Sequence, residues 1–205
     1  MTREKIIASL LIMFILPFFS ITEAALSESP LTSIRSTIDE VLETLRDKTL
    51  AQPKNKEKRR EKITNLIKSR FDFEEMSKRI LGRYWKDRTE DEQKEFISLF
   101  SELLEASYIR KIESYTNEKV TYDNESIKAD RYGVVSTSII TAKTTIPIDY
   151  KVILKDNKWW VYDVVIEGVS FITTYRNQYN KIITSESYAQ LIKKMNEKLK
   201  EVRKD

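Results

Sequence analysis

Ile146-Pro147-Ile148-Asp149-Tyr150-Lys151-Val152-Ile153-Leu154-Lys155, then Asp156-Asn157, then Lys158-Trp159-Trp160-Val161-Tyr162-Asp163-Val164-Val165-Ile166-Glu167 is the stretch that decides the fold. In its first part Ile146, Ile148, Tyr150, Val152 and Leu154 alternate with Pro147, Asp149, Lys151, Ile153 and Lys155. That is the period of a strand. Asp156-Asn157 tolerates the positive φ of a two-residue hairpin turn, so residues 158–167 should return as an antiparallel neighbour. Pro147 cannot donate to a ladder and belongs near a strand start or an edge.

Upstream, residues 120–127 form an extended stretch broken by polar side chains, and residues 134–141 are rich in β-branched ones. Four consecutive strands with short turns predict an antiparallel meander. Everything outside the meander reads as helix. Ile34, Ile38, Val41, Leu42 and Leu45 share one helical face that ends before Pro53, and Ile63, Leu66 and Ile67 repeat the pattern. Residues 71–81 predict a third helix, with Asp72 as N-cap, Glu75 at N3 and Gly82 as its stop. Thr89-Glu90-Asp91-Glu92 is a capping box that opens a long helix to about Tyr115, with Phe96, Leu99, Phe100, Leu103, Leu104, Ser107 and Tyr108 along it. After Gly168 the helical period returns through Val169, Ile172, Tyr175, Arg176 and Tyr179, and a last helix carries Leu191, Ile192, Met195 and Leu199. The predicted class is α+β: a curved four-stranded antiparallel sheet covered on one face by N- and C-terminal helices. Such an arrangement commonly encloses a pocket.

The chain has 205 residues with no Cys and no His. That composition removes disulfides, His-based triads, Cys nucleophiles and zinc-finger ligand sets, which makes enzyme chemistry improbable. Arg3 and Lys5, an apolar run at 6–19 and the small residues before Ala24 and Ala25 have the form of a secretory signal peptide at residues 1–24, cleaved near Ala24 or Ala25. The run is shorter than the roughly 20 residues that span a bilayer. Neither cleavage point precedes a Cys that could accept a lipid. The remainder, 25–205, is expected to be one exported domain. Arg3, Lys5, Glu4 and Glu23 cancel, so it keeps the net charge of +4. This mild basicity favours anionic surfaces, while export argues against a nucleic-acid partner. The basic run 54–62 is interleaved with acids and reads as the solvated start of a helix.

The aromatic inventory is dense and mostly reads as core. Tyr108, Tyr150, Tyr162, Ser107, Ser136 and Ser138 accompany it on elements expected to face each other, as a cleft for an amphiphile with polar groups at its mouth would require. Among the acids Asp123, Glu125, Asp130, Asp149, Asp163 and Glu167, Asp163 stands out because it interrupts an apolar strand. Its expected role is to bond a neighbouring Tyr, Ser, Arg or backbone N–H. The single sequon Asn124-Glu125-Ser126 is close to chance, and Lys143, Lys151 and Lys155 could serve docking or only solubility.

Phe71-Asp72-Phe73-Glu74-Glu75-Met76, Leu81-Gly82-Arg83-Tyr84-Trp85, Phe96, Phe100, Leu103-Leu104 and Tyr108, followed by Trp160 to Ser170, Tyr175-Arg176 and Gln178-Tyr179, resemble the MlaC, or toluene-tolerance, family from about residue 34 to 199. Tyr179 stands where that block often has Phe, and residues 171–174 match it more loosely. The resemblance implies a cystatin-like and nuclear-transport-factor-like α+β fold enclosing an apolar lipid cavity, with no catalytic or metal residues and no cofactor beyond phospholipid cargo. It also implies a periplasmic shuttle of diacyl phospholipid in Gram-negative bacteria, between an outer-membrane lipoprotein–porin complex and an inner-membrane ABC transporter complex with its substrate-binding-domain subunit. Motif and strand phase together nominate Tyr84, Trp85, Phe100, Leu104, Tyr108, Tyr150, Val152, Val164, Ile166 and Val169 as acyl contacts, and Arg83, Tyr175 and Arg176 as rim. Two other classes compete. An exported non-lipid adaptor would have a filled core and an exposed apolar patch, and an isomerase or hydrolase would need a buried acid such as Asp163 in a polar cavity.

Overall fold

The computed structural model describes residues 28–115, 118–129 and 131–204. The expected signal peptide and cleavage point, and Asp130, lie outside them. Among the described residues six α-helices, two short 3-10 helices (Pro53–Asn55 and Gly82–Asp87) and one sheet are formed; the α-helices and strands follow in chain order as α1 (Pro30–Arg46), α2 (Lys56–Lys68), α3 (Phe73–Leu81), α4 (Glu90–Glu113), β1 (Lys119–Lys128), β2 (Tyr132–Ile140), β3 (Thr145–Lys155), β4 (Lys158–Ile166), β5 (Val169–Ser170), α5 (Phe171–Ser185) and α6 (Tyr188–Lys204). The sheet is an antiparallel meander in the order β1-β2-β3-β4-β5. No helix among the described residues is long and apolar enough to cross a membrane.

The local signals act where the sequence places them. Asp156 and Asn157 both have positive φ, the geometry of a primed hairpin turn. Thr89 and Glu92 form a complete capping box, and Asp72 accepts from the Glu75 N–H. Since Asp72 is the cap, Phe71 lies outside α3. It is extended and bonded to β4, with the Asp72 N–H on the Val161 carbonyl at 2.8 Å and the Val161 N–H on that of Arg70 at 2.9 Å. Gly82 ends α3 at φ +53. Pro147 sits near the start of β3 opposite Ser138. Its carbonyl accepts from the Glu167 N–H, so its missing donor points to where β4 has already ended.

Two features were not expected. Glu167 and Gly168 both take positive φ and fold the chain back as β5, a fifth strand of two residues where a helix start was predicted. β4 also carries a bulge, because Lys151 pairs with Asp163 but Val152 pairs with Val161, which leaves Tyr162 as the extra residue. The bulge turns Asp163 onto the face opposite Val161 and Val164. There its carboxylate accepts from Lys151 Nζ at 3.0 Å, Ser170 Oγ at 2.7 Å and the Ile172 N–H at 3.1 Å, which anchors the start of α5. A second bulge at Asp123 in β1 places that acid against Ser138 Oγ, beside Asp149 on Ser136 Oγ.

The inner face of the sheet pairs Val135 with Tyr150, Tyr150 with Val164, Thr137 with Ile148 and Ile148 with Ile166. Two apolar clusters result. One combines Ile34 of α1 with Val135, Ile148, Val152, Trp159, Val161 and Val164; the other is built from α3, α4, α5 and α6 around Met76, Phe96, Phe100, Ile172 and Leu191. Phe71 and Phe171 pack against both. α1 and α2 are tied down by polar contacts: the Leu31 N–H on Glu125, Tyr122 Oη on Asp39, and the fork of Arg60 on Glu113 of α4 at 2.9–3.1 Å. Arg59 joins that acid at 3.5 Å. Two cations of the basic run 54–62 are therefore spent inside the fold. Lys151 and Lys155 are also engaged, Lys155 with Asp72 and Glu75.

Asp163→Ala should strand Lys151 and the Ile172 N–H at the start of α5 and cost about 3 kcal/mol. Urea unfolding would read this as a lower midpoint, with Asp163→Asn losing less; an unchanged midpoint for the Ala variant would refute the anchoring role.

Candidate functional site

The inner face of the sheet is not fully covered by side chains. Between it and the helices lies a cleft of about 440 Å³, within the range of pockets that hold small organic ligands. Thr137, Ile139, Ile146, Ile148, Tyr150, Val164 and Ile166 make its floor, and α1 contributes Ile34, Ile38, Val41, Leu42 and Leu45 as a roof. Leu104, Tyr108, Ile109 and Ile112 of α4 and Ile67 of α2 form the side; Phe71, Phe73, Met76 and Phe171 also border it. Ile38, Val41, Leu42 and Leu45 stay half-exposed although they occupy the apolar face of α1. They look into unfilled space rather than into a packed core.

Polar groups are few and placed apart. Arg70 and Thr37 stand beside Phe71; Thr64 and Lys68 of α2 meet Glu105 of α4 at 3.2 and 3.1 Å; Lys111, Tyr115, Glu118 and Glu167 mark the other end. Phe71 is bonded to β4 at Val161 and Glu167 follows the end of that strand; with Tyr162 bulged out, this stretch advances as the five residues from Val152 to Pro147 do on β3, so the cleft spans about 17 Å at ~3.3 Å per residue. Half of a bilayer's hydrocarbon core is about 15 Å, so an acyl chain fits lengthwise. Burial pushes the Tyr150 phenol up to about 12, against the opposing effect of its hydrogen bond with Thr137. The surface Tyr150 keeps is turned to the cleft and not to bulk water. Among the described residues no group of three or more His, Cys, Asp or Glu could hold a metal ion.

Of the nominated acyl contacts, the structure brings Leu104, Tyr108, Tyr150, Val164 and Ile166 to the cleft wall. It sets the other five elsewhere. Phe100 is fully buried in the helical cluster, against Tyr175 at 5.3 Å. Val152 is fully buried beneath Gly133, where even a Cβ would stand 3.0 Å from Val152 Cγ2. Tyr84 bonds Arg83 and Thr184, and Trp85 lies against α3 with Lys78 over its ring. Val169 is 59% exposed on β5. None of the nominated rim residues borders the cleft: Arg83 is exposed, Tyr175 stacks among Phe100, Phe171 and Tyr179, and Arg176 Nε donates to the Arg79 carbonyl. Ser136 and Ser138 lie on the outer face with their acids. The cleft residues that went unnamed were partly readable, since the stripe Ile34, Ile38, Leu42 and Leu45 and the phase Ile146, Ile148, Tyr150 both stood in the sequence. Arg70 sits between two helices and left no periodic signal.

The profile of the MlaC protein family matches residues 35–197, a span that contains every residue named above for the roof, floor and sides of the cleft except Ile34. The chain belongs to the MlaC family. It is similar to the intermembrane phospholipid transport system binding protein MlaC of Haemophilus influenzae, with 24% identity over 188 residues that cover 89% of this chain and 88% of that protein. Its fold is similar to that of the phospholipid-binding protein from Ralstonia solanacearum, solved in complex with a phospholipid, with a TM-score of 0.76 and 24% identity over 86% of this chain and 99% of that one. The α+β sheet-and-helix architecture is thus that of an MlaC-like protein.

Tyr150, Tyr175 and Tyr179 of this MlaC-family chain are all shifted upward by burial. An unfolded tyrosine loses its proton near pH 10, before the folded one does, so stability conferred by these groups is complete below pH 10 and falls as pH rises toward 12. Chemical denaturation from pH 9 to 11.5 should show that decline, and Tyr150→Phe should make it shallower; a flat profile would contradict the burial of these phenols.

Proposed function

We propose that this MlaC-family protein is a phospholipid-binding shuttle of the periplasm that carries lipid between the inner and outer membranes. The observation that carries the reading is the unfilled apolar cleft, long enough for an acyl chain, in a chain of this family. Each buried methylene contributes roughly 0.8 kcal/mol. About ten of them supply ~8 kcal/mol, the scale of micromolar affinity before the costs of association. The phospholipid held by the Ralstonia relative and the transport system named for the Haemophilus relative support the same reading.

On this reading residues 1–24 are removed on export near Ala24 or Ala25, and residues 25–205 act as one lipid-binding domain. Leu104, Tyr108, Tyr150, Val164 and Ile166 touch acyl chain, joined by Ile38, Leu42, Ile146 and Ile148. The partners are an inner-membrane ABC transporter complex with its substrate-binding-domain subunit and an outer-membrane lipoprotein–porin complex. The role is carriage and not catalysis. Asp163, the acid an enzymatic alternative would use, lies on the other face of β4 and is spent on Lys151, Ser170 and Ile172.

Protein purified from periplasm without detergent should carry diacyl phospholipid, identified by native mass spectrometry and solvent extraction. Ile38→Trp and Ile146→Trp, which fill the cleft from roof and floor at half-buried positions, should cut bound lipid at least fivefold with the circular dichroism spectrum preserved. Val169→Ala should leave the lipid content unchanged. Wild-type protein that is always empty and takes no lipid from vesicles would overturn the reading.

A further inference from the structure

Arg70 is the cation whose place on the cleft wall the fold alone does not account for. It is half-buried, and its Nε donates to Thr37 Oγ1 at 2.9 Å while Nη1 donates to the Trp159 carbonyl at 3.1 Å. Both acceptors are neutral. A guanidinium has five N–H donors and stays protonated, so most of its bonding capacity is unspent among the described residues. The acids whose field it feels, Glu28 and Glu40, form no ion pair with it. The other cations of the wall differ: Lys68 is paired with Glu105, and Lys111 is exposed to water. Burial makes Arg70 easier to deprotonate than an ordinary arginine, the mark of a charge that has lost water without gaining a counter-ion. A cation in that position is normally compensated by an anion.

We infer that Arg70 receives the anionic head of the bound lipid at the Phe71 end of the cleft, with the hydrocarbon running along β4 toward Glu167. The recognised chemistry is a pair of anionic oxygens, those of a fatty-acid carboxylate or of a phospholipid phosphodiester, either of which matches the planar fork of arginine. Among the described residues the opposite end offers no equivalent attraction, since Lys111 there stands with Glu118 and Glu167. The inference rests on the lipid-carrier reading and adds to it a head-group charge preference and an orientation in the cleft.

The test compares charged and uncharged lipids of equal hydrocarbon on delipidated, signal-peptide-free protein by calorimetric titration: palmitate against its methyl ester, and dipalmitoyl phosphatidylglycerol against dipalmitoylglycerol. Wild-type protein is expected to bind at least one charged member tenfold or more tightly than its uncharged counterpart. Preference in the palmitate pair alone assigns the site to a carboxylate, and in the glycerolipid pair alone to a phosphodiester. Arg70→Met should reduce the preference below threefold while uncharged lipids still bind, and Arg70→Lys, which keeps the charge, should retain most of it. Equal affinities within both pairs for the wild type, or a preference unchanged in Arg70→Met, would overturn the assignment while leaving the carrier reading intact. Failure of all four lipids to bind would overturn both.

Discussion

One extra residue in β4 governs both faces of the sheet. Val161 stands on the inner face, and a regular strand would place Asp163 and Val165 there after it, putting a carboxylate on the cleft floor and turning Val164 and Ile166 to the outside. The bulge at Tyr162 reverses that phase. Val164 and Ile166 become floor, while Asp163 becomes the outer anchor that fixes the start of α5 through Ser170 and the Ile172 N–H. The apolar lining and the attachment of the C-terminal helices thus depend on the same irregularity.

The remaining design problem is to keep a space open without losing the fold. Protein interiors close-pack, and an apolar cavity forfeits the contacts that would have filled it. Here the stabilising mass is displaced to one side, where α3, α4, α5 and α6 bury a large cluster that borders the cleft mainly through Met76 and Leu104. Phe71 and Phe171 join that cluster to the sheet. The roof then needs little apolar support of its own, and the stripe on α1 is left for a ligand.

Much of the fold was legible because it is written in short-range chemistry. The Thr89–Glu92 box, the Asp72 cap, the Gly82 stop and the Asp156-Asn157 turn each need only neighbouring residues to be read. The bulge at Tyr162 does not, since register is settled by the partner strand. β5 is too short to show a period. The site was harder still. Phe100 and Leu104 are one turn apart on α4, yet Phe100 serves the helical cluster and Leu104 also faces the cleft. A stripe of apolar residues states that a face is covered, and not by what. Arg70 belongs to no stripe, so only its desolvated surroundings single it out among the 36 Lys and Arg residues of the chain.

The attachments of α1 and α2 have a consequence of their own. Beyond Ile34 and Ile63, α1 is held by Glu125, by the Asp39–Tyr122 bond and by Arg70 on Thr37, and α2 by Glu105 and by the clasp of Arg59 and Arg60 on Glu113. Exposed ion pairs weaken as counter-ions screen them, over a Debye length of about 8 Å at physiological ionic strength, and pairs shielded from water, like those on Glu113, weaken far less. Packed hydrocarbon does not weaken in this way. Dissolved salt therefore reaches the cover chiefly through its exposed pair, Lys68 with Glu105, while the shielded clasp on Glu113 and the helical body barely sense it.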